Sequence, residues 1–219
     1  MSWSKEKAIA QVREVGLIPI VRTPSSEDAV RAAEAILAAG IGIAEITMTV
    51  PDALRVLKRV AKDFGDKVLL GAGTVLDAKS CEAAIAAGAE FIVTPSLQLD
   101  VIETAKRLNK PCFPGALTPT EVLAAWRAGA DMVKIFPCGP AGGPQYIKAL
   151  KGPFPYIDYV PTGGVTLETT PQYIRAGAAA VAVGGELVDL KALQSGKVET
   201  IVANARKFLE AVRVGREEN

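Results

Sequence analysis

One phrase recurs along this chain: "AILAAGIGIAEIT" (35–47), "AIAAGAEFIVTP" (84–95), "AWRAGADMVKIFP" (125–137) and "YIRAGAAAVAVGG" (173–185). Each copy reads as the end of a helix, a glycine suited to a helix C-terminus, and a short strand of β-branched residues. The glycines fall at 40, 88, 129 and 177, so the repeat is 41 to 48 residues long. That is too long for one strand–helix unit and right for two. The intervening strands read as "GLIPIVR" (16–22), "KVLLGAGT" (67–74), "PCFPGA" (111–116) and "YIDYVPTGG" (156–164). Between strands lie stretches with apolar residues at helical spacing, among them "SEDAVRAAEAILAA", "PDALRVLKRVAKDF" and "TPTEVLAAWRA".

Eight strands alternating with eight helices, preceded by one more helix, predict an α/β fold: a (β/α)8 TIM barrel with an extra N-terminal helix. A doubly wound open sheet explains eight strands and a four-fold double repeat less well. At 219 residues, 49% of them hydrophobic, the chain suits a single barrel domain over 1–219. Residues 213–219 read as a frayed polar tail.

The net charge of +1 argues against nucleic acid or an anionic membrane as partner. The opening "MSWSKEKAIAQ" has no apolar core of a signal peptide, and no stretch approaches a membrane span. Cys81, Cys112 and Cys138 have no Cys-x-x-Cys spacing, as expected of reduced thiols in a cytoplasmic protein. Histidine is absent, which excludes Ser-His-Asp and Cys-His catalysis, an imidazole base and His-containing zinc sites. Acid–base chemistry then falls to carboxylates, lysines, tyrosines or water, and no carboxylate cluster suggests a metal site.

In such barrels chemistry collects where strands end. Strand alternation sends Lys134 of "DMVKIFP" inward with Met132 and Phe136, while Val133 and Ile135 face the helices. In "IAEIT" the same alternation sends Glu45 and Thr47 inward. Burial lowers a lysine's pKa and frees an amine able to attack a carbonyl; a nearby carboxylate would move protons. A structural ion pair is the competing reading. "PTGG" and "VGG" end the seventh and eighth strands, where many barrels bind phosphate through backbone N–H groups. Arg22, at the end of the first strand, is placed to add positive charge to that anion, or else lies free on the surface. "GAGTV" lacks the third glycine of a dinucleotide fingerprint and reads as a strand end presenting Thr74.

Together "EITMTVP", "GAGTV", "TPS", "KIFP", "GPQYIKALKGPFP" and "VPTGG" resemble, in order and spacing, the class I aldolases that cleave 2-keto-3-deoxy-6-phosphogluconate (KDPG) and related 2-keto acids. The resemblance covers nearly the whole chain. It implies Lys134 as the Schiff-base lysine on C2 of pyruvate or the substrate, and Glu45 as general acid/base acting through a water. It further implies Thr74 at the pyruvate carboxylate, Thr47 nearby, and Pro95 and Phe136 as apolar wall. Thr162, Gly163, Gly164, Gly184 and Gly185 would bind the phosphate of glyceraldehyde 3-phosphate. No metal and no cofactor beyond the covalent imine are implied, and a homotrimer is. Some relatives carry arginine where this chain has Thr49, and many carry serine where it has Gly185, which bears on carboxylate and phosphate binding. The rival readings are the galactonate-epimer aldolase, a phosphate-binding barrel isomerase or synthase, and a non-enzymatic scaffold.

Overall fold

The computed structural model describes residues 3–217. Helix α1 (Lys5–Val15) leads into strand β1 (Leu17–Val21), followed by α2 (Ser26–Ala38), β2 (Ile43–Thr47), α3 (Ala53–Phe64) and β3 (Leu69–Gly73). Next come α4 (Ala78–Ala86), β4 (Phe91–Val93), α5 (Leu99–Arg107) and two short strands, β5 (Cys112–Phe113) and β6 (Gly115–Ala116). The remainder is α6 (Pro119–Ala128), β7 (Val133–Ile135), α7 (Gly143–Lys151), β8 (Tyr159–Pro161), α8 (Thr170–Arg175), β9 (Val181–Val183), α9 (Leu190–Gln194) and α10 (Val198–Glu217).

The sequence repeat has a concrete cause. Gly40, Gly88, Gly129 and Gly177 all adopt positive φ, between 92° and 107°. At each, the next residue's N–H reaches back five positions: Ile41 to Ile36, Ala89 to Ala84, Ala130 to Ala125 and Ala178 to Tyr173, at 3.0–3.2 Å. This is the Schellman closure, which only glycine enters without a Cβ penalty. It satisfies helix-end carbonyls and turns the chain into the next strand. At the other helix ends, Ser25 caps α2 by accepting from the Asp28 N–H, and Thr118 with Glu121 forms a capping box on α6.

Strands β5-β4-β3-β2-β1-β9 form one parallel sheet and β6-β7-β8 another. A single parallel bridge, Thr162 with Ala182, links the β8 side to β9. The expected strand 111–116 is split at Pro114, which offers no N–H to a ladder; its carbonyl still accepts from Lys134 N at 3.0 Å. Every residue of β1, β2 and β3 is buried, as parallel strands covered on both faces require.

The tail expectation needs correction. Residues 213–217 continue α10, while 218 and 219 lie outside the described residues. Val212 and Gly215 are buried, and Arg216 donates to the carbonyls of Arg13 and Glu14 at 2.6 Å each. A polar-looking sequence hid a helix whose apolar stripe faces α8 and α2.

Glycines inside the strands mark tight packing. A Cβ on Gly115 would stand 2.3 Å from the carbonyl carbon of Pro95, whereas one on Gly185 would meet nothing within 4 Å. Gly115→Ala should therefore lower the unfolding free energy by about 1–3 kcal/mol, while Gly185→Ala leaves it within about 0.5 kcal/mol. Urea denaturation of the two variants measures the contrast.

Candidate active site

A cavity of about 600 Å³ opens at the C-terminal ends of the strands. Lys134 and Phe136 reach it from β7 and the residue following it, Arg22 from just after β1, Thr74 from just after β3 and Pro95 from the connection after β4. Thr162, Gly163 and Gly164 follow β8, and Gly184 and Gly185 follow β9. The strand-end residues chosen from sequence thus converge on one cavity, with two exceptions. Thr47 is fully buried behind the wall, its hydroxyl bonded to the Val21 carbonyl at 3.3 Å and to Thr49 Oγ1 at 2.9 Å. Thr49 lines the cavity in its place. Glu45 lies beneath the floor, 1% exposed.

Lys134 is 5% exposed, and its Nζ stands 5.2 Å from the centre of the Phe136 ring. Burial pushes its pKa below the usual lysine value; Glu45 opposes that push and Arg22 adds to it. Burial raises the pKa of Glu45, against the attraction of Lys134 and Arg22. Neither carboxyl oxygen of Glu45 has a hydrogen-bond partner. The two groups therefore do not form the direct ion pair of the competing reading; burial shifts each toward its neutral form, and their mutual attraction only partly opposes that shift.

Glycine creates the room for that carboxyl. Glu45 lies in register with Gly71 on β3, and a Cβ on Gly73 would fall 1.9 Å from Glu45 Oε1. The sequence signal was a glycine inside a strand, which marks close approach. Reading "GAGTV" only as a strand end misses this function of Gly73.

Thr74 adopts φ +57°, a strained left-handed conformation for a β-branched residue. Arg22 Nη2 donates to its hydroxyl at 3.4 Å. The guanidinium expected beside the diglycine corners thus reaches across β2 toward the end of β3. The glycine pairs themselves differ. Gly163 and Gly164 have φ near +80°, and a Cβ there would press on Phe136 and Gly139 at 3.0–3.1 Å. At Gly184 and Gly185 a Cβ would find open space. The first pair is demanded by the fold; the second leaves room.

Sequence reasoning missed Glu186, Thr166, Val165, Val188 and Leu190, which also line the cavity. Glu186 directly follows "VGG", so its position was available. Among the described residues, no three His, Cys, Asp or Glu side chains gather where they could hold a metal ion. The three cysteines are free and buried, and burial raises the Cys81 and Cys138 thiols to about 11. No helix among the described residues is long and apolar enough to cross a membrane.

The profile of the KDPG and KHG aldolase family matches residues 8–204. The chain belongs to that family. It is 31% identical to the 2-dehydro-3-deoxy-phosphogluconate aldolase of Haemophilus influenzae over 216 residues, 97% of this chain and 100% of that one. It is 38% identical to the 2-dehydro-3-deoxy-6-phosphogalactonate aldolase of Escherichia coli over 198 residues, 90% of this chain and 94% of the other. Its fold matches KDPG aldolase from Legionella pneumophila, a structure with pyruvate captured as a covalent carbinolamine. That match has a TM-score of 0.84 at 29% identity and covers 91% and 96% of the two chains.

In this aldolase the buried carboxyl is costly whenever it is charged. Because its folded pKa is raised, Glu45 favours folding fully only below the ordinary carboxylate range near 4.5, and that contribution is lost as pH rises through the folded value. Glu45→Gln should therefore raise the melting temperature at pH 8 by about 2–4 °C per kcal/mol relieved, with no gain at pH 4. Calorimetry at both pH values checks the sign.

Proposed function

We propose that this aldolase cleaves KDPG to pyruvate and glyceraldehyde 3-phosphate through an imine on Lys134, and 4-hydroxy-2-oxoglutarate to pyruvate and glyoxylate by the same route. The observation that carries the reading is an amine whose pKa burial lowers, on the wall of a cavity above a buried, unbonded carboxyl. Lys134 Nζ adds to C2 of the keto acid and water leaves, giving an iminium. The C3–C4 bond then breaks, its electron pair passing into the iminium as an enamine. The proton of the C4 hydroxyl goes to Glu45 through a water, since the carboxyl lies beneath the floor, and the aldehyde departs. C3 takes a proton back, and hydrolysis returns pyruvate and the free amine.

Thr74 and Arg22 hold the substrate carboxylate, Arg22 supplying the charge that Thr49 lacks. Pro95 and Phe136 cover the apolar face of the bound keto acid. Backbone donors at Gly163, Gly164, Gly184 and Gly185 receive the distal phosphate, with Thr162 beside them. No metal or separate cofactor takes part. The scaffold is a single (β/α)8 barrel with an N-terminal helix. The bridge between Thr162 and Ala182, and the single proline that separates β5 at the edge of one sheet from β6 at the edge of the other, support joining the two sheets into one cylinder.

The galactonate epimer is the second reading, favoured by the 38% identity to an aldolase of that name. Turnover of the two epimers side by side separates them. The enzyme works in the cytoplasm as a homotrimer. Exposed Leu76, just before α4, and Leu99, at the start of α5, offer apolar contact surface where Ala78 N donates to Asp100 at 3.0 Å. Light scattering should return three times the 22.9 kDa subunit mass.

Borohydride added with pyruvate should attach one reduced pyruvate to Lys134, and Lys134→Ala should lose both the adduct and cleavage. The trapping rate should climb with pH and level off well below the 10.5 of an ordinary lysine. An unmodified protein, or an active alanine variant, overturns the reading.

A further inference from the structure

The far corner of the cavity offers backbone N–H donors but few side-chain donors. Lys134 stands on β7, and Arg22, the other cation lining the cavity, is turned toward Thr74. Glu186 lines the corner beside Gly184 and Gly185 and is exposed there. The hydroxyls nearby are already committed. Thr162 Oγ1 donates its one proton to the Val160 carbonyl at 3.2 Å, so only its lone pairs remain for a ligand. Thr166 Oγ1 is engaged with Thr169 Oγ1 at 3.1 Å and accepts from the Thr169 N–H at 3.2 Å. A phosphate dianion is purely a hydrogen-bond acceptor and carries the same sign of charge as Glu186. A terminal hydroxyl can donate to either oxygen type.

We propose that Glu186 is a specificity-determining residue that weakens the hold on a terminal phosphate and admits 2-keto-3-deoxy acids ending in a hydroxyl. The assignment rests on the aldolase reading above and concerns only the tail of its substrate. The mechanism is discrimination by like charge: Glu186 penalises the phosphorylated tail more than it helps the hydroxylated one. Open space at Gly184 and Gly185 lets either tail approach the backbone.

The test compares kcat/KM for 2-keto-3-deoxygluconate and its 6-phosphate, which differ only at this end, in wild type, Glu186→Gln and Glu186→Asp. The phosphorylated-to-unphosphorylated ratio should rise roughly tenfold in the glutamine variant, as loss of one nearby like charge predicts, and stay near wild type in the aspartate variant. High salt should shrink the difference. A ratio that stays put or falls in Glu186→Gln, with pyruvate trapping intact, overturns this assignment alone. Failure of wild type itself to trap pyruvate overturns the aldolase reading and this assignment with it.

Discussion

A lysine and a glutamate have been taken out of water into the same enclosure, and their mutual attraction only partly offsets that loss. A direct contact would have made both fully charged and chemically quiet. Instead Glu45 has no hydrogen-bond partner, and burial moves both pKa values toward neutrality. The arrangement requires glycine at 73, since any side chain there would occupy the carboxyl's place. It also requires the parallel register that sets Glu45 beside Gly71 and Lys134 beside Gly115. Strand pairing, glycine placement and reactivity are thus a single constraint.

Around this centre the cavity divides by charge. Arg22 and Thr74 gather at the β3 side, where a strained backbone is held by a side-chain hydrogen bond. The opposite corner holds backbone amides, a hydroxyl already donating, and Glu186. Under the proposed function, a substrate's fixed carboxylate would meet the first side and its variable tail the second. Relatives within the KDPG and KHG aldolases carry names for gluconate, galactonate and 4-hydroxy-2-oxoglutarate substrates.

Much of this was legible in the sequence because the chain repeats itself. Four helix-terminating glycines marked where strands begin, and period-two alternation gave the inward direction of Lys134 and Glu45. Alternation alone does not give depth: Thr47 points the right way but sits behind Thr49. Nor does it give the direction of a long side chain: Arg22 lines the cavity but donates to Thr74. Glu186 escaped because an acidic residue after a glycine pair reads as solvated surface. The last turn of α10 escaped because Arg216 and Glu217 look like a tail until α1 supplies the carbonyls.

That final contact has a consequence for how the protein is made. Arg216 closes over the backbone at residues 13 and 14, just ahead of the first strand. Helix α1 therefore gains this contact only after a residue 202 or 203 positions further along has been made. Strand β1 likewise waits for β9, so one edge of the six-stranded sheet stays open in the meantime.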